Sequence, residues 1–360
     1  MKTIWVIVIH SWLYLGCPCL LTHLATSYIS RASACTSAYH PPSHIMLKSY
    51  DWHDGEGDLY FNPKGINRQA FPHEQSSTRQ PHSWRSQLAS LSFNQYGRGF
   101  PNGGINEAGL AIEVLWLEQS QASPADDRPY LNELEWVQLA LDTQRSVSGL
   151  IQLMSEVRIS PIHGKVHYMS CDSSGQCVTL EVIEGQLVIH TQQNLPYPAL
   201  TNHTYRDALK YFKHLKTTPQ EATGSLNRFA VAAQTIQEPN KVSLLEALNA
   251  LNKVEIKGYT KWKIAYDLKN LTVIFRTDTH QRVRRVSLRQ LIQALQTKEG
   301  CAAQSTLSLS SKVKGDLSLH FMPPKLAEEK HNLRARFKRL KLSKDLAYML
   351  AQHGAKCRGS

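Results

Sequence analysis

The sequence predicts an α+β fold built as stacked layers of sheet and helix. Three observations carry this. Short strand-like runs come first, helical runs follow, and strands then return, without the strict alternation of a parallel βαβ sheet. The last strand of the first group is apolar on both faces, as in a sheet covered on both sides. The composition is that of a globular chain, with 42% hydrophobic and 19% charged residues over 360 positions. It excludes collagen-like, coiled-coil and largely disordered chains, and the length allows one large domain or two medium ones.

The first 34 residues read as an export signal. Lys2 precedes an apolar stretch from Ile4 to Ile9 and Trp12 to Leu15, and no acidic residue occurs before Asp51. The segment ends in Ala32-Ser33-Ala34, the small-x-small pattern of a cleavage site, directly before Cys35. An uncleaved anchor fits less well, because His10 and Ser11 interrupt a run already short of the ~20 residues a span needs. A lipid-attachment site at Ala-Ser-Ala-Cys is a second alternative, although Ala32 stands where such sites carry Leu. The expected location is therefore the periplasm or outside the cell.

Strands are expected at His44–Asp51, Ser90–Tyr96 and Leu110–Leu117 from short alternating or apolar runs. Leu131–Asp142 and Val147–Val157 have helical spacing. Strands return at Lys165–Ser170, Val178–Ile183 and Gln186–Thr191, the last two joined at Glu184-Gly185. Helices are expected at Tyr205–His214, Ser225–Thr235 and Ser243–Leu251, then strands at Thr260–Tyr266, Leu271–Phe275 and Val283–Leu288. Residues 299–326 begin Ser-rich and read as a linker. Residues 327–360 form a basic tail, helical over Ala327–His353, with Leu333, Phe337 and Leu340 on one face. The tail is read as a solvated helix closing the domain, with weak contact to a membrane surface or a partner as the alternative.

Charge locates function by exclusion. The net charge is +12, but the chain from Lys312 onward holds twelve basic and four acidic residues, and Lys2 and Arg31 add two more positive charges. Only two surplus charges remain for the body. A nucleic-acid reader would carry its basic surface on the folded domain, so no nucleic-acid partner is expected.

Export permits disulfides. Removing the signal takes Cys17 and Cys19 and leaves an odd number of cysteines. Cys171 and Cys177 flank the turn residues Asp172-Ser173-Ser174-Gly175 and are placed to pair across it; Cys301 and Cys357 form a second candidate pair; Cys35 is left over.

Several constellations fail. Pro41-Pro42 between His40 and His44 rules out a zincin-type helix. His163 and His167 lie on a strand edge, where four residues span about 13 Å, too far for one metal. No Cys-x-x-Cys pair and no Gly-x-Ser-x-Gly elbow is present, and the glycines at 97, 99, 103 and 104 lack the Lys-Ser/Thr of a phosphate loop. No metal or organic cofactor is called for.

One constellation holds. Cleavage after Ala34 would give Cys35 a thiol and a free α-amine on one residue. An α-amine with a pKa of about 7.7–8.0 can act as general base near neutral pH. The bland alternative is a buried or lipidated cysteine at a chance cleavage site.

The downstream sequence supports the first reading. Cys35-Thr36, Tyr50-Asp51-Trp52, Phe93-Asn94-Gln95-Tyr96-Gly97 running through Pro101-Asn102-Gly103-Gly104-Ile105-Asn106-Glu107-Ala108-Gly109-Leu110, and Leu200-Thr201-Asn202 followed by Arg228-Phe229 occur in order. Over Cys35–Ile292 the chain resembles the choloylglycine hydrolase and penicillin V acylase family, linear amide C–N hydrolases of the N-terminal-nucleophile class. The resemblance implies a four-layer αββα sandwich over residues 35–298. It makes Cys35 nucleophile and base, and Asp51 the group that holds the amine or thiol in register. Asn202 and the Trp116 backbone N–H would stabilise an oxyanion, and Arg228 would lower the thiol pKa. Lys48 stands where the family commonly has Arg, keeping the charge without the planar fork, which bears on substrate positioning. The Trp116 side chain would shape an apolar acyl pocket.

The expected partner is a small N-acyl amide of the penicillin V or N-acyl homoserine lactone type, with conjugated bile acids as the alternative. Relatives suggest a homo-oligomer, commonly a tetramer. The reading from another class is a non-catalytic surface lipoprotein that binds partners through its basic tail.

Overall fold

The computed structural model describes residues 34–74, 80–217, 219, 221–295, 300–343 and 346–347. The chain divides between residues 32 and 33 into two units, and the described residues lie in the second. Its first half contains β1 (Ala34–His40), β2 (Ile45–Asp51), β3 (Asp58–Asn62), β4 (Ser90–Asn94), β5 (Gly103–Asn106) and β6 (Ala111–Trp116). Helices α1 (Glu135–Thr143) and α2 (Val147–Glu156) follow, then β7 (Val166–Cys171), β8 (Cys177–Ile183), β9 (Gln186–Thr191) and β10 (Ala199–Leu200). Next come α3 (Tyr205–His214), α4 (Ser225–Thr235) and α5 (Leu244–Ala250), then β11 (Thr260–Asp267), β12 (Thr272–Thr277), β13 (His280–Ser287) and α6 (Leu288–Leu295). The chain continues through β14 (Ser305–Ser308), β15 (Gly315–Asp316) and α7 (Leu326–Arg339).

Two large sheets form. One has the order β10-β1-β2-β11-β12-β13-β15, the other β9-β8-β7-β6-β5-β4-β3-β14. All neighbours in them are antiparallel except β13 with β15. Helices α3 to α6 cover the outer face of the first sheet, and α1 and α2 cover the second. The result is the four-layer αββα arrangement.

Strand periodicity explains the layers. On β6, Ala111 and Leu115 belong to the core between the sheets, whereas Ile112 and Val114 pack with Trp136, Leu139 and Leu150 of the helices. A strand buried on both faces must be apolar nearly throughout, as the sequence suggested. The β5–β6 turn is built by two residues. The Asn106 Oδ1 accepts from the backbone N–H groups of Ala108 (3.0 Å) and Leu110 (3.1 Å), and Gly109 takes a left-handed φ of +80°. Cys171 and Cys177 lie opposite each other in the β7–β8 ladder and form a disulfide. The suggested pairing of Cys301 with Cys357 falls on side chains outside those described.

Four stretches differ from the sequence reading, the last being the tail helix, expected to run to His353. The chain from Cys35 forms a full strand of the first sheet, although Pro41-Pro42 closes it after six residues. Helix α1 starts at Glu135, because Tyr130-Leu131 instead pairs with Arg158-Ile159. The Ser-rich stretch contributes β14 to the edge of the second sheet: Leu307 and Leu309 are buried, while the Thr306 hydroxyl donates to Leu59 O at 3.1 Å. Serine content signals a loop, but here hydroxyls alternate with buried leucines, which is strand patterning. The tail helix spans Leu326–Arg339 and buries Leu333 and Phe337 on the body, with Leu340 behind them.

Candidate active site

Cys35 is the second residue of β1 and is buried, 3% exposed. The ladder sets Ala34 opposite Asp51 and Cys35 opposite Tyr50. Cross-strand partners share a face, so Cys35 and Tyr50 look into the space between the sheets, while Ala34 and Asp51 look toward α4. The Cys35 backbone N–H donates to Asn202 Oδ1 at 2.8 Å. Burial pushes the thiol above its ordinary range; Lys48, the Asp51 N–H and Arg228 oppose that, and the Asp51 charge adds to it.

Asp51 is fully buried. Its Oδ1 accepts the hydroxyls of Ser49 (2.8 Å) and Thr260 (2.5 Å), and its Oδ2 has no hydrogen-bond partner among the described residues. Burial raises this carboxyl to about 6, against the opposing pull of Arg228, the two hydroxyl bonds and Lys48. A buried carboxylate oxygen left without a donor is costly.

Asn202 follows β10 and is fixed from several sides. Its N–H donates to Ser225 Oγ (2.8 Å), and its Oδ1 accepts Arg228 Nη2 (2.7 Å) as well as Cys35 N–H. Its Nδ2 donates to the Trp116 carbonyl at 2.9 Å. These bonds settle which end of the amide is which. An amide nitrogen carries two hydrogens, so one remains for a further acceptor. Arg228 comes from α4, is buried, and lies near both Asp51 and Cys35.

Trp116 ends β6. Leu117 N–H donates to Lys165 O, which marks Leu117–Lys165 as a hydrogen-bonded pair and leaves Trp116–Val166 a non-bonded one. Trp116 therefore turns its backbone N–H and C=O to the opposite edge. There Val114 N–H still reaches Asn102 O, but the chain before Asn102 has already turned, with Phe100 N–H bonded to Gly97 O. The Trp116 carbonyl meets Asn202, and its N–H points to the same side. Asn202 thus links the end of β6 to the Cys35 backbone.

Lys48 sits elsewhere than a substrate contact would. It is buried between the sheets, its Nζ donating to Val114 O and standing 3.4 Å from Glu113 Oε2. It reaches Cys35 through its charge alone. Glu113, which sequence reading passed over inside an apolar strand, also accepts the Tyr266 hydroxyl at 2.5 Å. Gly103 faces the Glu113 carboxyl so closely that a Cβ there would overlap it. The only signal in the sequence was a single carboxylate in an otherwise apolar run, ten residues after Gly103.

The pocket above Cys35 is walled by aromatic and aliphatic side chains, among them Tyr50, Trp52, Tyr96, Phe100, Trp116 and Val166. The Trp52 and Trp116 rings lie 6.0 Å apart. Among the described residues, no three His, Cys, Asp or Glu side chains are grouped to hold a metal ion.

Comparison with known proteins bears on the family and the fold. Residues 97–236 match the model of the linear amide C–N hydrolases, choloylglycine hydrolase family. A penicillin V acylase from Pectobacterium atrosepticum is 25% identical over 364 aligned positions, covering 85% of this chain and 94% of that protein. The solved penicillin V acylase from Agrobacterium tumefaciens superposes with a TM-score of 0.67 at 19% identity, over 81% of this chain and 98% of that one. A mutant of the conjugated bile acid hydrolase from Clostridium perfringens superposes with a TM-score of 0.61 at 14% identity, over 78% and 98% of the two chains.

Proposed function

We propose that this chain, which belongs to the choloylglycine hydrolase family of linear amide C–N hydrolases, is exported, loses its leader after Ala34, and then cleaves N-acyl amides with Cys35 as an N-terminal nucleophile. The observation that carries the reading is the pair of acceptors that Asn202 and Asp51 present near Cys35. Asn202 Oδ1 already holds the Cys35 backbone N–H, and the partnerless Asp51 Oδ2 lies on the residue across the ladder from Ala34. Cutting the Ala34–Cys35 bond replaces an amide by an amine with additional hydrogens, and Asp51 is the buried acceptor suited to take one.

The chemistry follows from those groups. The neutral α-amine takes the Cys35 thiol proton, and the thiolate attacks the substrate carbonyl. The free hydrogen of Asn202 Nδ2 and the Trp116 backbone N–H stabilise the oxyanion; donors of this kind are worth about 3–4 kcal/mol each in the transition state. The α-ammonium then gives its proton to the leaving amine, and a thioester forms on Cys35. Water, deprotonated by the same amine, hydrolyses the thioester and releases the acid. Arg228 keeps Asn202 oriented and, with Lys48, favours the thiolate.

The apolar, aromatic pocket suits an acyl group with an aryl or medium alkyl body. The preferred substrates are therefore of the penicillin V or N-acyl homoserine lactone type. Side-by-side assays of phenoxyacetate, fatty acid and cholate release test this. Release of the first two supports the proposal; preferential cholate release would make the chain a bile salt hydrolase, and no release would overturn the amidase reading. Cys35→Ser should lower turnover by a factor of about 1,000 or more while the unfolding midpoint stays near wild type.

A further inference from the structure

We propose that the C-terminal segment is part of the acyl pocket, with Leu342 and Leu346 forming a wall that favours bulky apolar acyl groups over small ones. The inference rests on the amidase reading above and assigns it a specificity element beyond the residues of the reacting centre.

The segment is held against the pocket from its far side. Leu333, Phe337 and Leu340 of α7 and its end pack with Phe100, and Trp52, Tyr96 and Leu134 close this cluster. The last three and Phe100 also face the pocket, so one set of side chains serves both. Gly97, with φ of +95°, has no room for a Cβ: it would stand 2.8 Å from Leu333. That close approach fixes the height of the helix.

Polar bonds fix its rotation. Arg336 is buried and donates to Gln95 O (3.0 Å) and Asp58 Oδ2 (2.9 Å). Gln95 in turn accepts the hydroxyl of Tyr50, the ladder partner of Cys35, at 2.8 Å. Arg339 pairs with Asp54 at 3.0 Å and with Glu56. Glu329 accepts Tyr60 OH (2.6 Å) and pairs with Arg98 at 3.2 Å.

A defined turn then aims the chain at the pocket. Lys341 is left-handed, at φ of 56°. Its N–H bonds to Lys338 O, and the next N–H, of Leu342, bonds back to Phe337 O at 3.1 Å. This is the double bond pattern of a Schellman stop, which brings the residue after the turn onto the helix's apolar side. Leu342 is that residue. It and Leu346 line the same pocket as Cys35, Trp116 and Val166.

The test compares the mature full-length protein with the double variant Leu342→Ala/Leu346→Ala on acetyl, phenoxyacetyl and decanoyl p-nitroanilides. A conservative Leu342→Met/Leu346→Met protein serves as control. The kcat/KM ratio of decanoyl to acetyl substrate should fall on the order of tenfold in the alanine variant, through KM, and should recover in the methionine variant. An unchanged ratio, or an equal loss on all three substrates, overturns the proposal. Decanoate binding by calorimetry to Cys35→Ala protein, with and without the leucine substitutions, reads the wall without turnover. A roughly tenfold weaker binding supports it and equal binding overturns it. If wild type hydrolyses none of the substrates, the amidase reading fails, while the decanoate comparison still decides the wall.

Discussion

At the scale of single residues, the environment of Asp51 is the most informative. Its carboxyl lies at about 6 in the fold, against about 3.9 in an unfolded chain. Between those values the folded state binds the extra proton. The stability this contributes is therefore fully present below about pH 4 and is lost as pH rises through 6, up to about 3 kcal/mol. In a protein that retains the peptide bond before Cys35, Asp51→Asn should unfold at a higher temperature than wild type at pH 7, with the difference vanishing near pH 4; melting curves across that range check this. In the processed protein the ammonium should supply the missing donor to Oδ2 and shrink the difference. A difference of equal size in both forms would contradict the role assigned to Asp51. In the processed enzyme the same substitution should cost turnover about 100-fold, since Asn202 alone then holds the amine.

At the scale of elements, two contacts carry most of the construction. The first is the meeting of the sheets at Lys48 and Glu113, a buried ion pair made affordable by the Tyr266 hydroxyl and the Val114 carbonyl. Breaking one partner of such a pair leaves an uncompensated charge and costs about 3–5 kcal/mol. Gly103→Ala should act through it by pushing the Glu113 carboxyl aside, and urea unfolding should show a loss of that order. The second contact is the stop of α7. Lys341 pays the cost of a left-handed conformation at a position where glycine pays none, so Lys341→Gly should stabilise the protein by about 1 kcal/mol, read as a higher urea midpoint at unchanged slope. The two differ in legibility. The Gly103-Gly104 pair was visible as part of a motif, but its reason, a carboxylate ten residues away, is a contact across the β5–β6 ladder. The stop at Lys341 carries no glycine and no proline, so nothing in the local sequence marks it, and the basic run suggested a longer helix.

At the scale of the whole molecule, the strands and helices of the body follow from periodicity because each sheet has one face against the other sheet and one against helices. The four-layer order and the motif residues Cys35, Asp51, Asn202 and Arg228 came instead from the resemblance of the motifs. Periodicity marked neither β1 nor β10, and Arg228 lies within α4 rather than at its end. The parts that escaped are long-range and polar: the Lys48–Glu113 pair, the orphaned Asp51 oxygen, and the intramolecular use of the tail's charge. Composition placed the basic surplus on a solvated tail helix, whereas Arg336 and Arg339 pair with Asp58, Asp54 and Glu56. A charge total cannot distinguish a solvated arginine from a docked one. The proposed chemistry requires Cys35 to be the first residue of the mature protein. Intact-mass measurement of protein purified after export should give a chain starting at Cys35 with an unmodified amine; a chain beginning at any other residue, or a diacylglyceryl adduct on Cys35, would contradict it.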